Sequence, residues 1–271
     1  MVFSKMMIMN EDKLKQLNRI PIDDIYILTD FDGTITKSNS DSSWASIFKN
    51  PKVSKEFVDA CIKIFNHYHK YEIDENISLE EKISIMNEWY QKNIQTLKDF
   101  KITEEIINYA TSESMMTFRD GAKDFFKNMY NKKIPIIIIS AGVGNIIEQF
   151  LIRNNCYYSN ILICSNFLEY ENGVVSGVKD NNLINPLNKN EIYLPKIISE
   201  KINNKNNLLL LGDSISDINM ATNSSKKAVF KIGFLDENIE KRLSTFKENY
   251  DFICINSTSY NELREKIKVL K

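Results

Sequence analysis

The sequence predicts an α/β fold, a doubly wound and mostly parallel sheet into which a helical segment is inserted. Three observations predict it. Short β-branched runs alternate with amphipathic helical patterns from about residue 118 onward, which is the signature of parallel strands buried on both faces. Small polar residues follow the ends of three of those runs, where ligands bind in such sheets. Between about Ser40 and Ser114 the apolar spacing is helical only.

Taken in order, the residues up to about Arg19 read as a helix or loose arm, with Leu14, Leu17 and Ile20 as packing positions. Ile25 to Thr29 is an apolar run that ends in Asp30, Asp32 and Gly33. In the helical stretch, Val53, Phe57, Ala60, Ile64 and Tyr68 form one stripe. Leu79, Ile83, Met86, Tyr90, Ile94 and Leu97 form a second, with Ser78 as its cap and Glu81 three residues on. Strands are expected at Ile134 to Ser140, Ile161 to Cys164, Leu208 to Leu211, Ala228 to Ile232 and Phe252 to Ile255. Helices are expected around Val143 to Arg153, Lys189 to Ile202, Asp236 to Phe246 and Tyr260 to Val269. Phe167 to Val178 breaks the pattern, because Glu171-Asn172-Gly173 is a hairpin turn.

Composition bounds the partners. Lys and Arg number 35 against 36 Asp and Glu among 271 residues, so bulk charge offers no hold on nucleic acid or an anionic membrane, although a local basic pocket suits a small anion. The cysteines Cys61, Cys156, Cys164 and Cys254 are far apart and mostly among apolar neighbours, which fits free thiols in a reducing compartment. The apolar run Met6-Met7-Ile8-Met9 is too short for a signal-peptide core, and no window has the length of a membrane span. A soluble cytoplasmic protein is expected.

The residues after the strands carry the chemistry. Asp30 and Asp32 leave an extended strand on the same side. Two carboxylates so close repel, and a hard divalent cation relieves the pair. An aspartate in that position can also attack phosphorus. The plainer alternative is an Asp-Gly turn. Ser140, with Gly142 and Gly144 before a helix, can offer a hydroxyl and backbone N–H groups to a phosphate, or serve as a helix cap. Asp213 and Asp217 lie four apart at another strand end, where the first can bind a cation and the second position it; a capping and a surface aspartate are the alternative.

Asp30-Phe31-Asp32-Gly33-Thr34, Ser140, Lys189 and Gly212-Asp213-Ser214-Ile215-Ser216-Asp217 fall in an order that resembles the haloacid-dehalogenase-like phosphohydrolases. Within them the chain is most similar to the cytosolic type III pyrimidine 5'-nucleotidases, through almost its whole length. That likeness is carried by Leu79-Glu80-Glu81-Lys82, Met86-Asn87-Glu88-Trp89-Tyr90, Phe118-Arg119-Asp120-Gly121 and Ile139 to Gly144. Ser165-Asn166-Phe167, Asn188-Lys189-Asn190, Leu210 to Ser214 and Lys231 to Leu235 continue it.

The resemblance implies a Rossmann-like core, residues 1–36 and 117–271, with a helical cap at 37–116 that closes over the substrate. It implies a magnesium-dependent phosphomonoesterase acting on nucleoside 5'-monophosphates, pyrimidines preferred, through a phospho-aspartate. Asp30 would be the nucleophile and Asp32 the general acid and base. Magnesium would be held by Asp30, the Asp32 carbonyl and Asp213, with Asp217 behind. Ser140, Ala141, Gly142 and Lys189 would hold the phosphoryl group. In the cap, Glu81 points away from the apolar stripe and Trp89 lies on its flank, at about 100° per residue. The resemblance gives these two the base, with Phe65 and His69 as possible neighbours.

Three departures bear on substrate identity. Gly33 stands where the family usually has Met, Ser42-Ser43-Trp44-Ala45-Ser46 replaces a Cys-His-Asn segment, and Gln91-Lys92-Asn93-Ile94 lacks the usual His. Another small phosphomonoester, such as a cofactor phosphate or phosphoserine, and a catalytically silent nucleotide sensor are the alternatives. The partner expected is a small molecule, for a monomer or weak dimer.

Overall fold

The computed structural model describes residues 5–72, 74, 76–113, 116–190, 194–221, 224–256 and 258–271. In chain order the elements are β1 (Lys5–Ile8), α1 (Glu11–Leu17), β2 (Ile25–Thr29), α2 (Ser43–Phe48), α3 (Lys55–Glu72), α4 (Leu79–Asp99), α5 (Glu104–Glu113) and α6 (Ala122–Asn131). They continue with β3 (Ile136–Val143), α7 (Gly144–Arg153), β4 (Ile161–Asn166), β5 (Leu168–Glu171) and β6 (Val174–Val178). Last come α8 (Lys196–Ile202), β7 (Asn207–Gly212), a 3-10 helix at Ile215–Ala221, β8 (Ala228–Leu235), α9 (Ile239–Asn249), β9 (Phe252–Ile255) and α10 (Tyr260–Lys266).

The sheet runs β1-β9-β8-β7-β2-β3-β4, and every neighbour pair is parallel except β1 with β9. Successive strand residues feed opposite faces. Ile25, Ile27, Ile136, Ile138, Leu209 and Leu211 join one core with Phe125, Ile146 and Leu263. Tyr26, Leu28, Ile137, Ile139, Leu208 and Leu210 join the other with Ile198 and Phe246. The chain progresses from β2 outward to β3 and β4, then returns to the far side of β2 with β7. This reversal opens a crevice at the carboxyl ends of β2 and β7, the switch point at which such sheets bind ligands.

The sequence expectation missed β1. Lys5 to Ile8 pairs antiparallel with Ile255 to Phe252, a four-residue edge strand too short for periodicity to separate from a helical turn. The helix α1 follows as expected, with Leu17 buried. In α4, Met86, Tyr90, Ile94 and Leu97 are buried as the stripe requires, but Leu79 and Ile83 are 66% and 39% exposed. Spacing names the apolar face of a helix; how far along that face a neighbour reaches is decided by the packing. The expected hairpin is present as β5 and β6.

The hairpin also braces the helical insert. Glu104 N–H donates to Gly173 O and Val175 N–H to Ile102 O, both at 2.9 Å. The segments that enter and leave the insert meet through a Thr36–Phe118 antiparallel bridge and the bond from Lys37 N–H to Thr117 O. Beside them Arg119, 1% exposed, donates to the carbonyls of Gly33 and Thr34, pairs with Asp236 at 2.8 Å and lies over the Phe234 ring. It thereby ties the turn after Asp32 to the end of β8.

Removing one partner of a buried ion pair leaves its counter-charge and several carbonyls without that partner. Arg119→Ala is expected to lower the unfolding free energy by about 3–5 kcal/mol, read from urea denaturation. A loss below about 1 kcal/mol would mean that the turn does not depend on this side chain.

Candidate active site

The candidate groups converge because β2, β3 and β7 end side by side. Asp30 is the first residue after β2, and its N–H donates to Leu211 O of β7 at 3.0 Å. Gly33, three residues later, adopts φ +81°, and a Cβ there would lie 2.5 Å from Asp213 Oδ2. Glycine takes this left-handed turn beside the β7 loop without strain.

Lys189 enters from a loop with little regular structure. Asn185 Oδ1 accepts from Leu187 and Asn188 N–H, and Asn166 pins Ile184 through both its N–H and its carbonyl. The loop delivers the Lys189 ammonium to Asp30 Oδ1 at 2.6 Å and Asp217 Oδ1 at 2.8 Å. All three side chains are buried. Asp217 Oδ2 accepts in turn from the N–H groups of Asp213 and Ser214, both at 3.0 Å, so it shapes the loop that carries Asp213. Ser140, also buried, accepts from Gly142 N–H at 3.0 Å, which leaves its own hydrogen to donate.

Oxygen atoms of Asp30, Asp213 and Asp217 lie within 4.8 Å of one another. Burial pushes Asp30 up to about 7, against the lowering effect of Lys189, and raises Asp213 well above the usual carboxylate range. Asp32 is pushed up to about 6, again by burial, although hydrogen bonds from Ser43 pull it down. One ammonium among four carboxylates leaves negative charge uncompensated in a buried site. Hard oxygen donors in that state fit a divalent cation such as magnesium.

Above these groups lies a cavity of about 670 Å³ that reaches into the helical insert. Asp30, Asp32, Ser140, Lys189, Asp213 and Asp217 line its floor, together with Ala141 and Gly142. Trp44, Phe65, Trp89 and Tyr90 line its wall, with His69 and Glu72. Trp89 has two roles, for it also stacks on Tyr68 at 6.0 Å and 11° inside the insert's own cluster. Phe65 stacks on His69 at 4.7 Å. The Glu72 hydrogen bond raises His69 above its ordinary value, with Nδ1 3.1 Å from Glu72 Oε2.

Glu81 is not brought to this cavity. It sits exposed in the first turn of α4, where its N–H donates to Ser78 Oγ at 3.2 Å as the capping pattern requires. The sequence showed correctly that it lies off the apolar face, but that face's opposite side meets solvent. Sequence reasoning missed Glu72 and Ser43, and gave Asn166 and Asn185 no role. For Glu72 the signal was its place three residues after His69; for Asn185 there was none.

A family model described as pyrimidine 5'-nucleotidase (UMPH-1) matches residues 28–270. The chain belongs to the pyrimidine 5'-nucleotidase family. Among its relatives, the 7-methylguanosine phosphate-specific 5'-nucleotidase B of Xenopus laevis is 30% identical, covering 90% of this chain and 87% of that protein. The mouse 7-methylguanosine phosphate-specific 5'-nucleotidase is 32% identical, with 85% and 79% covered. The fold matches the crystal structure of cytosolic 5'-nucleotidase IIIB bound to cytidine with a TM-score of 0.88 at 23% identity, over 98% of this chain and 93% of that one. A substrate-bound phosphoserine phosphatase gives 0.57 at 22% identity, over 90% and 98%. This member of the pyrimidine 5'-nucleotidase family is accordingly an enzyme, a phosphomonoesterase, on a fold shared with phosphoserine phosphatase. Among the described residues no helix is long and apolar enough to cross a membrane.

The raised carboxylates have a signed consequence for stability. Between about pH 4, where an ordinary aspartate ionises, and about pH 7, the folded metal-free protein holds protons that the unfolded chain has released. Stability contributed by Asp30 and Asp32 is therefore present below pH 4 and falls as pH rises through this window. Urea unfolding of metal-free protein, measured relative to the Asp30→Asn/Asp32→Asn double variant, is expected to show that decline. A relative stability that is flat or rises with pH would contradict the burial argument.

Proposed function

We propose that the chain hydrolyses nucleoside 5'-monophosphates with magnesium, through a phospho-aspartate on Asp30. The observation that carries this reading is the buried Asp30–Lys189–Asp217 triad at the floor of a cavity whose wall is aromatic. Asp30 attacks phosphorus while Asp32 gives a proton to the departing O5', then takes one from the water that releases phosphate. The Lys189 ammonium and the Ser140 hydroxyl hold phosphoryl oxygens, beside Ala141 and Gly142, and offset charge as it shifts to them. Magnesium, held by Asp30, Asp213 and the Asp32 carbonyl with Asp217 behind them, would supply positive charge against the same oxygens.

The base is read from the wall. Phe65 and Trp89 offer aromatic faces, and Glu72 offers a carboxylate that accepts hydrogen bonds from an amino-bearing base. Cytidine monophosphate has such a group, which supports a pyrimidine substrate. The same lining, a carboxylate beside electron-rich rings, also suits the cationic base of 7-methylguanosine monophosphate, the substrate named for the relatives. Phosphoserine would leave this wall without a partner, and a nucleotide sensor needs no proton carrier at Asp32. The four free cysteines suit the cytoplasm.

Asp30→Asn is expected to abolish turnover in protein that still unfolds cooperatively in urea, since the amide keeps the shape but does not attack. Asp213→Asn is expected to raise the magnesium concentration for half-maximal rate. Residual turnover in the first variant, or an unchanged magnesium requirement in the second, would refute the corresponding assignment.

Glu72→Gln is expected to raise KM for cytidine and 7-methylguanosine monophosphates by about tenfold for each 1.4 kcal/mol of lost hydrogen bonding. Uridine monophosphate and an aryl phosphate, which lack the amino group, should be nearly unaffected, and Glu81→Ala should alter none of the four. An equal rise for all four substrates would assign Glu72 to closure of the insert instead of base recognition.

A further inference from the structure

Asp32 is held by a residue of the helical insert. Ser43, fully buried at the start of α2, places its Oγ 3.0 Å from Asp32 Oδ2. Its backbone N–H lies 3.3 Å from both carboxylate oxygens. On its other side the same Oγ accepts from Val143 N–H, at the end of β3, at 3.1 Å. An N–H only donates, so of these two neighbours only Asp32 Oδ2 can receive the hydroxyl hydrogen.

A second observation comes from the backbone opposite. A Cβ on Gly142 would lie 2.1 Å from Ser43 Oγ and 3.2 Å from Asp32 Oδ2. The absence of a side chain at Gly142 is what gives the serine hydroxyl its place between β3 and Asp32. Three separate segments therefore meet on one oxygen atom: the turn after β2, the end of β3 and the first helix of the insert.

We propose that Ser43 is the positioning residue of Asp32. With Oδ2 occupied as an acceptor, the proton that Asp32 carries sits on Oδ1. In the first step the bond from Asp30 to phosphorus forms, the P–O5' bond breaks, and that proton moves from Oδ1 to O5'. In the second, water adds to phosphorus, returns a proton to Oδ1, and the Asp30–phosphorus bond breaks. Ser43 touches none of the reacting atoms; it aims the carboxyl and holds its rotation fixed. This inference rests on the proposed role of Asp32.

The leaving group separates aim from mere structure. A nucleoside alkoxide needs the proton, whereas p-nitrophenolate departs without it. In rapid-quench measurements of the first turnover, Ser43→Ala is expected to slow nucleoside release from cytidine monophosphate by about tenfold or more, and p-nitrophenol release by less than about threefold. Ser43→Cys, which keeps a weaker donor at nearly the same place, should fall between wild type and Ser43→Ala. It carries the same test should the alanine variant fold poorly, as judged by its urea midpoint. Equal slowing of both substrates, or of neither, would overturn the proposal. Asp32→Asn in parallel keeps the two readings apart. If it slows both releases equally, the role of Asp32 itself is wrong and the Ser43 proposal falls with it; if it slows only nucleoside release, a failure at Ser43 concerns Ser43 alone.

Discussion

The Lys189 ammonium between Asp30 and Asp217 is the interaction on which the rest of the site depends. An isolated buried charge is strongly disfavoured, and a pair persists only when its geometry is good and its remaining hydrogen-bonding positions are filled. Here the fold meets that condition from several sides. Asp217 Oδ2 is occupied by the N–H groups of the loop after β7, and Asp30 is anchored by its own N–H to Leu211. The lysine arrives on a loop pinned by Asn166 and Asn185. One cation does not neutralise the cluster, and the remaining charge is the reason that the donors suit a hard divalent ion.

The insert is more than a cover. Trp44 Nε1 donates to Ala141 O at 3.1 Å, Asn87 Oδ1 accepts from Asn185 Nδ2 at 2.7 Å, and Ser43 reaches Asp32. Each bond runs from the insert to a segment that carries one of the candidate groups: the β3 loop, the lysine loop and the turn after β2. The bonds to Gly173 and Val175 hold the far end of the insert, and the α3–α4 hairpin carries Phe65, Glu72 and Trp89 to the cavity wall.

Much of this was legible in the chain because it depends on local chemistry. Strands buried on both faces must be apolar throughout, so Ile134 to Ser140 and Leu208 to Leu211 declared themselves. The carboxylates after β2 and β7 stand out because small polar residues abruptly follow a fully apolar run. Helical periodicity likewise identified the insert and the capping of α4 by Ser78. The edge strand β1 did not stand out, because four residues carry no period and its pairing partner is at the other end of the chain.

By itself the sequence determined the alternation of strands and helices and the small polar and acidic residues that follow the strand ends. These follow from side-chain period and residue type, which are properties of neighbours along the chain; the class of chemistry came from the order of those motifs, which resembles that of a known family. The tertiary structure alone decided which insert residues face the cavity. Glu81 and Glu72 are both acidic and both on amphipathic helices, yet only the packing of α3 against α4 directs the second into the cavity. It alone also joined Ser43, Gly142 and Asp32, since contacts between segments separated along the chain exist only once two strands and a helix have fixed their separation.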